Sequence, residues 1–101
     1  MYKVLLVDDE YMITEGLKRL IPFEKWDMEV VATANHADDA LDYVREHPVD
    51  IVISDVNMPG KTGLEMIGEM KELLPEGYYI LLSGYQEFDY VKKAMNLNVV
   101  D

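Results

Sequence analysis

The stretch IVISDVNMPG, residues 51–60, decides how this chain is read. A run of apolar and small residues ends abruptly on a carboxylate, Asp55, and a turn punctuated by Pro59 and Gly60 follows. A short apolar run bounded by turn signals suits a strand buried on both faces, which in a small domain points to a parallel sheet. Asp55 then sits at the strand's carboxyl end, where open α/β sheets bind their ligands. The pattern occurs twice more. Residues 4–7 run straight into Asp8 and Asp9, and residues 80–82 run straight into Ser83.

Outward from this stretch, strands are expected over residues 2–7, 29–34, 49–54 and 78–82, with a fifth opening at Val99 and Val100. Between them lie segments of helical periodicity. The first covers about 10–20, with Asp9 placed to cap it, Met12, Ile13, Gly16, Leu17 and Leu20 as its apolar stripe, and Pro22 stopping it. Trp26 is expected to cover that helix's end. The second runs from an Asn35 cap to about residue 46, turning Ala37, Ala40, Leu41 and Val44 inward. The third opens on Thr62 and Glu65, a capping-box pair, and turns Leu64, Met66, Ile67, Met70 and Leu73 inward before breaking at Pro75-Glu76-Gly77. A fourth is expected over about 86–96, with Asn98 just past its end.

Strands alternating with helices at this spacing specify an α/β fold, a doubly wound parallel sheet with right-handed crossovers. Residues 1–101 read as one domain. A fifth strand of three or four residues with no helix after it leaves one face of such a sheet under-covered, so the chain is expected to be cut short. Apolar surface left bare on the first helix and the sheet would favour homo-oligomers or strand exchange.

Half the residues are hydrophobic, enough for a packed core, and no cysteine is present for a disulfide framework or a thiolate metal site. No apolar segment approaches the roughly 20 residues needed to cross a bilayer. The amino terminus MYKVLLVDDE lacks a signal peptide's cleavage region. A cytoplasmic domain without membrane contact is the expectation. Nine basic against 20 acidic residues give a formal charge of −11. Direct nucleic acid contact is disfavoured, because it rests on Lys and Arg neutralising phosphates. Divalent cations and basic partners suit such a surface.

In a doubly wound sheet, strands one, three and four lie side by side, and their carboxyl ends gather Asp8, Asp9, Asp55 and Ser83 in one crevice. Two carboxylates about 5 Å apart repel by roughly 3 kcal/mol at an effective dielectric near 20. A hard cation relieves this, and Mg2+ takes one or two carboxylates, keeps waters and completes its shell with phosphate oxygens. A carboxylate beside it is placed to attack phosphorus. Phosphoryl transfer asks for positioning and charge neutralisation more than for an acid or base. Ser83 offers a hydroxyl to a phosphoryl oxygen, and the turn after Asp55 offers the backbone carbonyl of Asn57 to the metal. Singly, these residues read as a cap pair, an Asx turn and a loop serine; their coincidence at adjacent strand ends is the signal. His36 and His47 read as surface residues, and the seven methionines as core.

VLLVDDE, IVISDVNMPGKTG and LLSGYQEFDYVKKAM together resemble the receiver domain of two-component response regulators, over essentially the whole chain. The resemblance implies a flavodoxin-like strand order 2-1-3-4-5, with strand five incomplete and the final helix missing. It makes Asp55 the phosphoacceptor, a histidine kinase the donor, and Ser83 the switch hydroxyl. Asp9, Asp55 and the carbonyl of Asn57 would ligate Mg2+, with Asp8 acting through water or at the edge of the site. IPFEKWDMEVVATA and SGYQEFDYVKKA are similar to receivers joined to an AraC-type DNA-binding output domain. The lysine that family members carry at the end of strand five has no counterpart before Asp101.

The leading expectation is a phosphorylation-dependent signalling module, not an enzyme beyond its own phosphoryl acceptance and hydrolysis. An alternative is a receiver-like interaction module that never carries phosphate. A hydrolase with an aspartate nucleophile ranks last, because the acid it needs two residues on is here Asn57.

Overall fold

The computed structural model describes residues 1–82, 99 and 100. Its elements are β1 (Tyr2–Val7), α1 (Tyr11–Leu20), a 3-10 turn (Phe23–Trp26), β2 (Met28–Ala34), α2 (Ala37–Glu46), β3 (Ile51–Asp55), α3 (Gly63–Leu73), β4 (Tyr78–Leu82) and β5 (Val99–Val100). All strand pairs are parallel, and the sheet order is β2-β1-β3-β4-β5. This is the doubly wound parallel sheet expected from the sequence, in the order that the resemblance implies. The fourth helix expected over 86–96, together with Ser83 and Asn98, lies outside the described residues.

Each central strand is buried on both faces because its alternate residues enter different cores. Leu5, Val7, Val52, Tyr79 and Leu81 join Ala40, Leu41 and Val44 of α2 and Met66, Ile67 and Met70 of α3 on one face. Val4, Leu6, Ile51 and Ile53 lie on the other with Phe23, against partly buried Leu17, Ile21, Ile80 and Leu82. Asp50 ties the amino ends of the strands together: its N–H donates to the Lys3 carbonyl, its carboxylate accepts from the Lys3 N–H at 2.7 Å, and its carbonyl accepts from Tyr78. Pairing aligns Val7 with Ser54 and Asp55 with Leu82, so the carboxyl ends of β1, β3 and β4 finish at one level.

Several local expectations are corrected. Regular β3 starts at Ile51 rather than residue 49 and includes Asp55. On α1, Met12 and Leu20 are 78% and 82% exposed and Ile13 is exposed too, whereas Thr14 is buried and Leu17 half-buried. The buried Thr14 hydroxyl is satisfied by donating to the Tyr11 carbonyl at 2.9 Å. Residue 10, not Asp9, is the N-cap of α1, and His36, not Asn35, is that of α2, neither with a side-chain cap bond. Leu73 and Trp26 are exposed. The inward set of α2 and the Thr62–Glu65 capping box stand as expected.

Candidate functional site

The end of β1 delivers two consecutive acids that meet different surroundings. Asp8 is buried, at 6% exposure, and Asp9 is half-buried. Asp8 Oδ1 accepts from the Glu10 N–H at 2.9 Å, which turns the chain into α1. Across the strand boundary, half-buried Asp55 closes β3, and its Oδ1 accepts from the Asn57 N–H at 3.3 Å. One carboxylate oxygen each from Asp8, Asp9 and Asp55 lies within 4.8 Å of the others. The three acids singled out from sequence are therefore brought together. Asn57 follows in the turn as an exposed residue, and Ser83 lies outside the described residues.

The electrostatics of the cluster are those of crowded acids. Burial, above all, pushes the Asp8 carboxyl up from 3.8 to about 6; the Glu10 N–H opposes this, and the charges of Asp55 and Asp9 reinforce it. Burial likewise raises Asp55, with the Asn57 N–H opposing and the Asp9 charge adding to the rise. Such a set disfavours its own ionised form unless positive charge is supplied. Hard oxygen donors, converging and destabilised as anions, fit a small divalent cation such as Mg2+.

The turn after Asp55 is closely tied. Gly60 takes a positive φ of 79°, which a residue with a Cβ adopts only under strain. The Gly63 N–H donates to the Val56 carbonyl at 2.9 Å, closing the turn at its base. The Thr62 hydroxyl accepts from the Glu65 N–H at 3.2 Å, while the Glu65 carboxylate accepts from the Thr62 N–H at 3.0 Å. Lys61 pairs with Glu69 and, at 3.8 Å, with Asp38, linking the turn to α3 and α2. Sequence reasoning missed three residues here: Lys61, Ser54 and Gly63. The last was open to notice, since a glycine directly after a Thr cap is a poor helix former unless something must approach it closely.

An apolar cavity of about 820 Å3 opens at the other end of the sheet, lined by Tyr2, Met28, Ile51, Leu73, Tyr78 and Ile80 among others. It shares no residue with the acid cluster.

Comparison with known proteins places this geometry. Residues 4–101 match the family model of the response regulator receiver domain. A response regulatory protein of Staphylococcus epidermidis is 38% identical over 101 residues, covering all of this chain and 39% of that protein. The transcriptional regulatory protein YesN of Bacillus subtilis is 38% identical over 99 residues, covering 98% of this chain and 27% of that protein. The chain thus spans well under half the length of these curated relatives. Among solved structures, the REC domain of AraT, a response regulator from Geobacillus stearothermophilus, matches with a TM-score of 0.90 at 39% identity, over 99% of this chain and 78% of that one.

Proposed function

Since the chain belongs to the response regulator receiver family, whose members are phosphorylation-based signalling modules rather than classical enzymes, we propose that Asp55 is its phosphoacceptor. The observation that carries this is the convergence of Asp8, Asp9 and Asp55 at the ends of adjacent parallel strands. In the proposed step a carboxylate oxygen of Asp55 attacks the phosphorus of a phosphohistidine on a partner kinase. The new O–P bond forms as the N–P bond breaks, and the electron pair returns to the imidazole nitrogen, which takes up a proton.

The protein's share of this chemistry is positioning and charge. The Asn57 N–H holds one Asp55 oxygen. Asp8 and Asp9, together with Asp55 and the Asn57 carbonyl, would hold Mg2+. When bound, that ion supplies the positive charge that lets an anionic carboxylate and an anionic phosphoryl group approach. Asn57 stands where a general acid would be needed for rapid hydrolysis, so the phosphoryl group is retained long enough to signal. Ser83 is proposed as the switch hydroxyl.

The partners proposed are a histidine kinase and an output domain of the same regulator. The name of YesN, a transcriptional regulatory protein, supports a DNA-binding output. Residues 1–101 would be the receiver part, with no nucleic acid contact of their own. Among the described residues no helix is long and apolar enough to cross a membrane, and we place the protein's work in the cytoplasm.

Incubation with acetyl phosphate and Mg2+, followed by intact-mass analysis, tests the reading. One phosphoryl group per chain, stable in acid, labile in base and absent in Asp55→Asn, is the expected result. No adduct on the parent chain refutes phosphoacceptance, and multiple turnover of the donor points to a hydrolase.

A further inference from the structure

The Asp55 backbone is gripped by two residues with no part in the chemistry above. Ser54, fully buried in β3, donates its hydroxyl to the Asp55 carbonyl oxygen at 2.9 Å. Gly63, the first residue of α3, is packed against the same carbonyl. A Cβ at position 63 would lie 2.2 Å from that oxygen, and 3.2 Å from both the Asp55 carbonyl carbon and Ser54 Oγ. The obstructing atom is backbone and cannot rotate aside. Only glycine lets α3 begin this close to β3.

The consequence follows from peptide geometry. The Asp55 carbonyl and the Val56 N–H belong to one rigid plane. Fixing that oxygen fixes the torsion by which the chain leaves Asp55, and with it the departure of the turn. The turn is clasped a second time by the Gly63 N–H on the Val56 carbonyl. The Asp55 carboxylate in turn faces two N–H groups of that turn, Asn57 at 3.3 Å and Val56, whose N–H lies in the plane just described. Where those N–H groups sit is set by the grip on the Asp55 carbonyl.

We propose that Ser54 and Gly63 are positioning residues for Asp55: they lock the peptide plane that follows it and so hold the Val56 and Asn57 N–H groups against its carboxylate. The part of this concerning phosphoryl uptake rests on the function proposed above; the latch itself does not.

The test compares Ser54→Ala and Gly63→Ala with Val4→Ala, a core deletion on the opposite face of the sheet. Two quantities are read at a temperature where each variant is folded. One is amide hydrogen exchange at Asn57 and Gly63, normalised to global stability. The other is the rate of adduct formation with acetyl phosphate at saturating Mg2+. Ser54→Ala should speed exchange at both amides about tenfold and slow adduct formation about tenfold, because small misplacements of a reacting group are costly. Val4→Ala should change neither by more than about twofold. Gly63→Ala should act in the same direction and more strongly; should it not fold, Ser54→Ala decides. Exchange in Ser54→Ala that matches Val4→Ala overturns the latch. Loosened amides with an unchanged rate overturn the positioning role. A parent chain that takes up no phosphoryl group sinks the phosphoacceptor reading instead, and amide exchange alone then decides whether the latch exists.

Discussion

Replacing Asp8 by asparagine should make the metal-free protein more stable at neutral pH, although Asp8 belongs to the proposed site. The buried Asp8 carboxyl ionises near pH 6 in the folded chain instead of 3.8. Each pH unit between those values is worth about 1.4 kcal/mol, so the ionised side chain costs the fold about 3 kcal/mol at pH 7. Between the two values the folded state holds a proton that the unfolded state has released. Stability therefore falls as pH rises from about 4 to about 6, and the penalty is fully present above that. Asparagine removes the charge and keeps an oxygen for the Glu10 N–H. Urea unfolding followed by circular dichroism in EDTA should show Asp8→Asn ahead by about 2 to 3 kcal/mol at pH 7.5, with the gap shrinking below about 1 kcal/mol at pH 4. In thermal melts, that neutral-pH gain corresponds to roughly 8 °C or more for a domain of this size. Millimolar Mg2+ should stabilise the parent more than the variant and narrow the difference. A variant no more stable than the parent at pH 7.5, or a gap independent of pH, would refute the account of crowded, desolvated acids.

Other outcomes follow from the same geometry. Thr62→Ala removes the hydroxyl that accepts from the Glu65 N–H and should cost about 1 kcal/mol in urea unfolding, with Thr62→Ser retaining most of it. Gly60→Ala forces a Cβ into a positive-φ turn and should cost about 1 to 2 kcal/mol, less for Gly60→Asn. Tyr79→Phe leaves the buried Leu74 carbonyl without the hydroxyl that donates to it at 2.8 Å, a loss of about 1 to 2 kcal/mol in urea unfolding. Burial pushes the Tyr79 hydroxyl up to about 12, so an ultraviolet pH titration should show a tyrosine step near there that Tyr79→Phe removes, and the fold should lose stability as pH rises from 10 towards 12.

The site was more legible than its surroundings. Apolar runs that end on Asp8 and Asp55 disclosed both the strands and the direction in which their carboxyl ends point, and a parallel sheet brings such ends together whatever the loops do. The capping box at Thr62 and Glu65 was legible because both of its bonds are local. By contrast, the apolar stripe expected on α1 holds only at Gly16 and Leu17, while Met12, Ile13 and Leu20 face solvent. Periodicity reveals that a helix has an apolar side, but not that Thr14 is buried while Leu17 packs on the core beside the sheet. Asp9 and Asn35 looked like caps because their side chains suit the role, yet both helices begin one residue later without a side-chain cap.

By itself the sequence determined the α/β class and the set of acids at the carboxyl ends, because strand burial and turn chemistry are written in adjacent residues; the strand order came from the resemblance to receiver domains. Only the tertiary structure decided that Asp8 is the buried member of its pair and that Ser54 and Gly63 grip the Asp55 carbonyl. These facts depend on how closely α3 approaches β3 and on which way each side chain leaves its strand. Distances between segments remote in the chain are set by packing, and packing is not a local property.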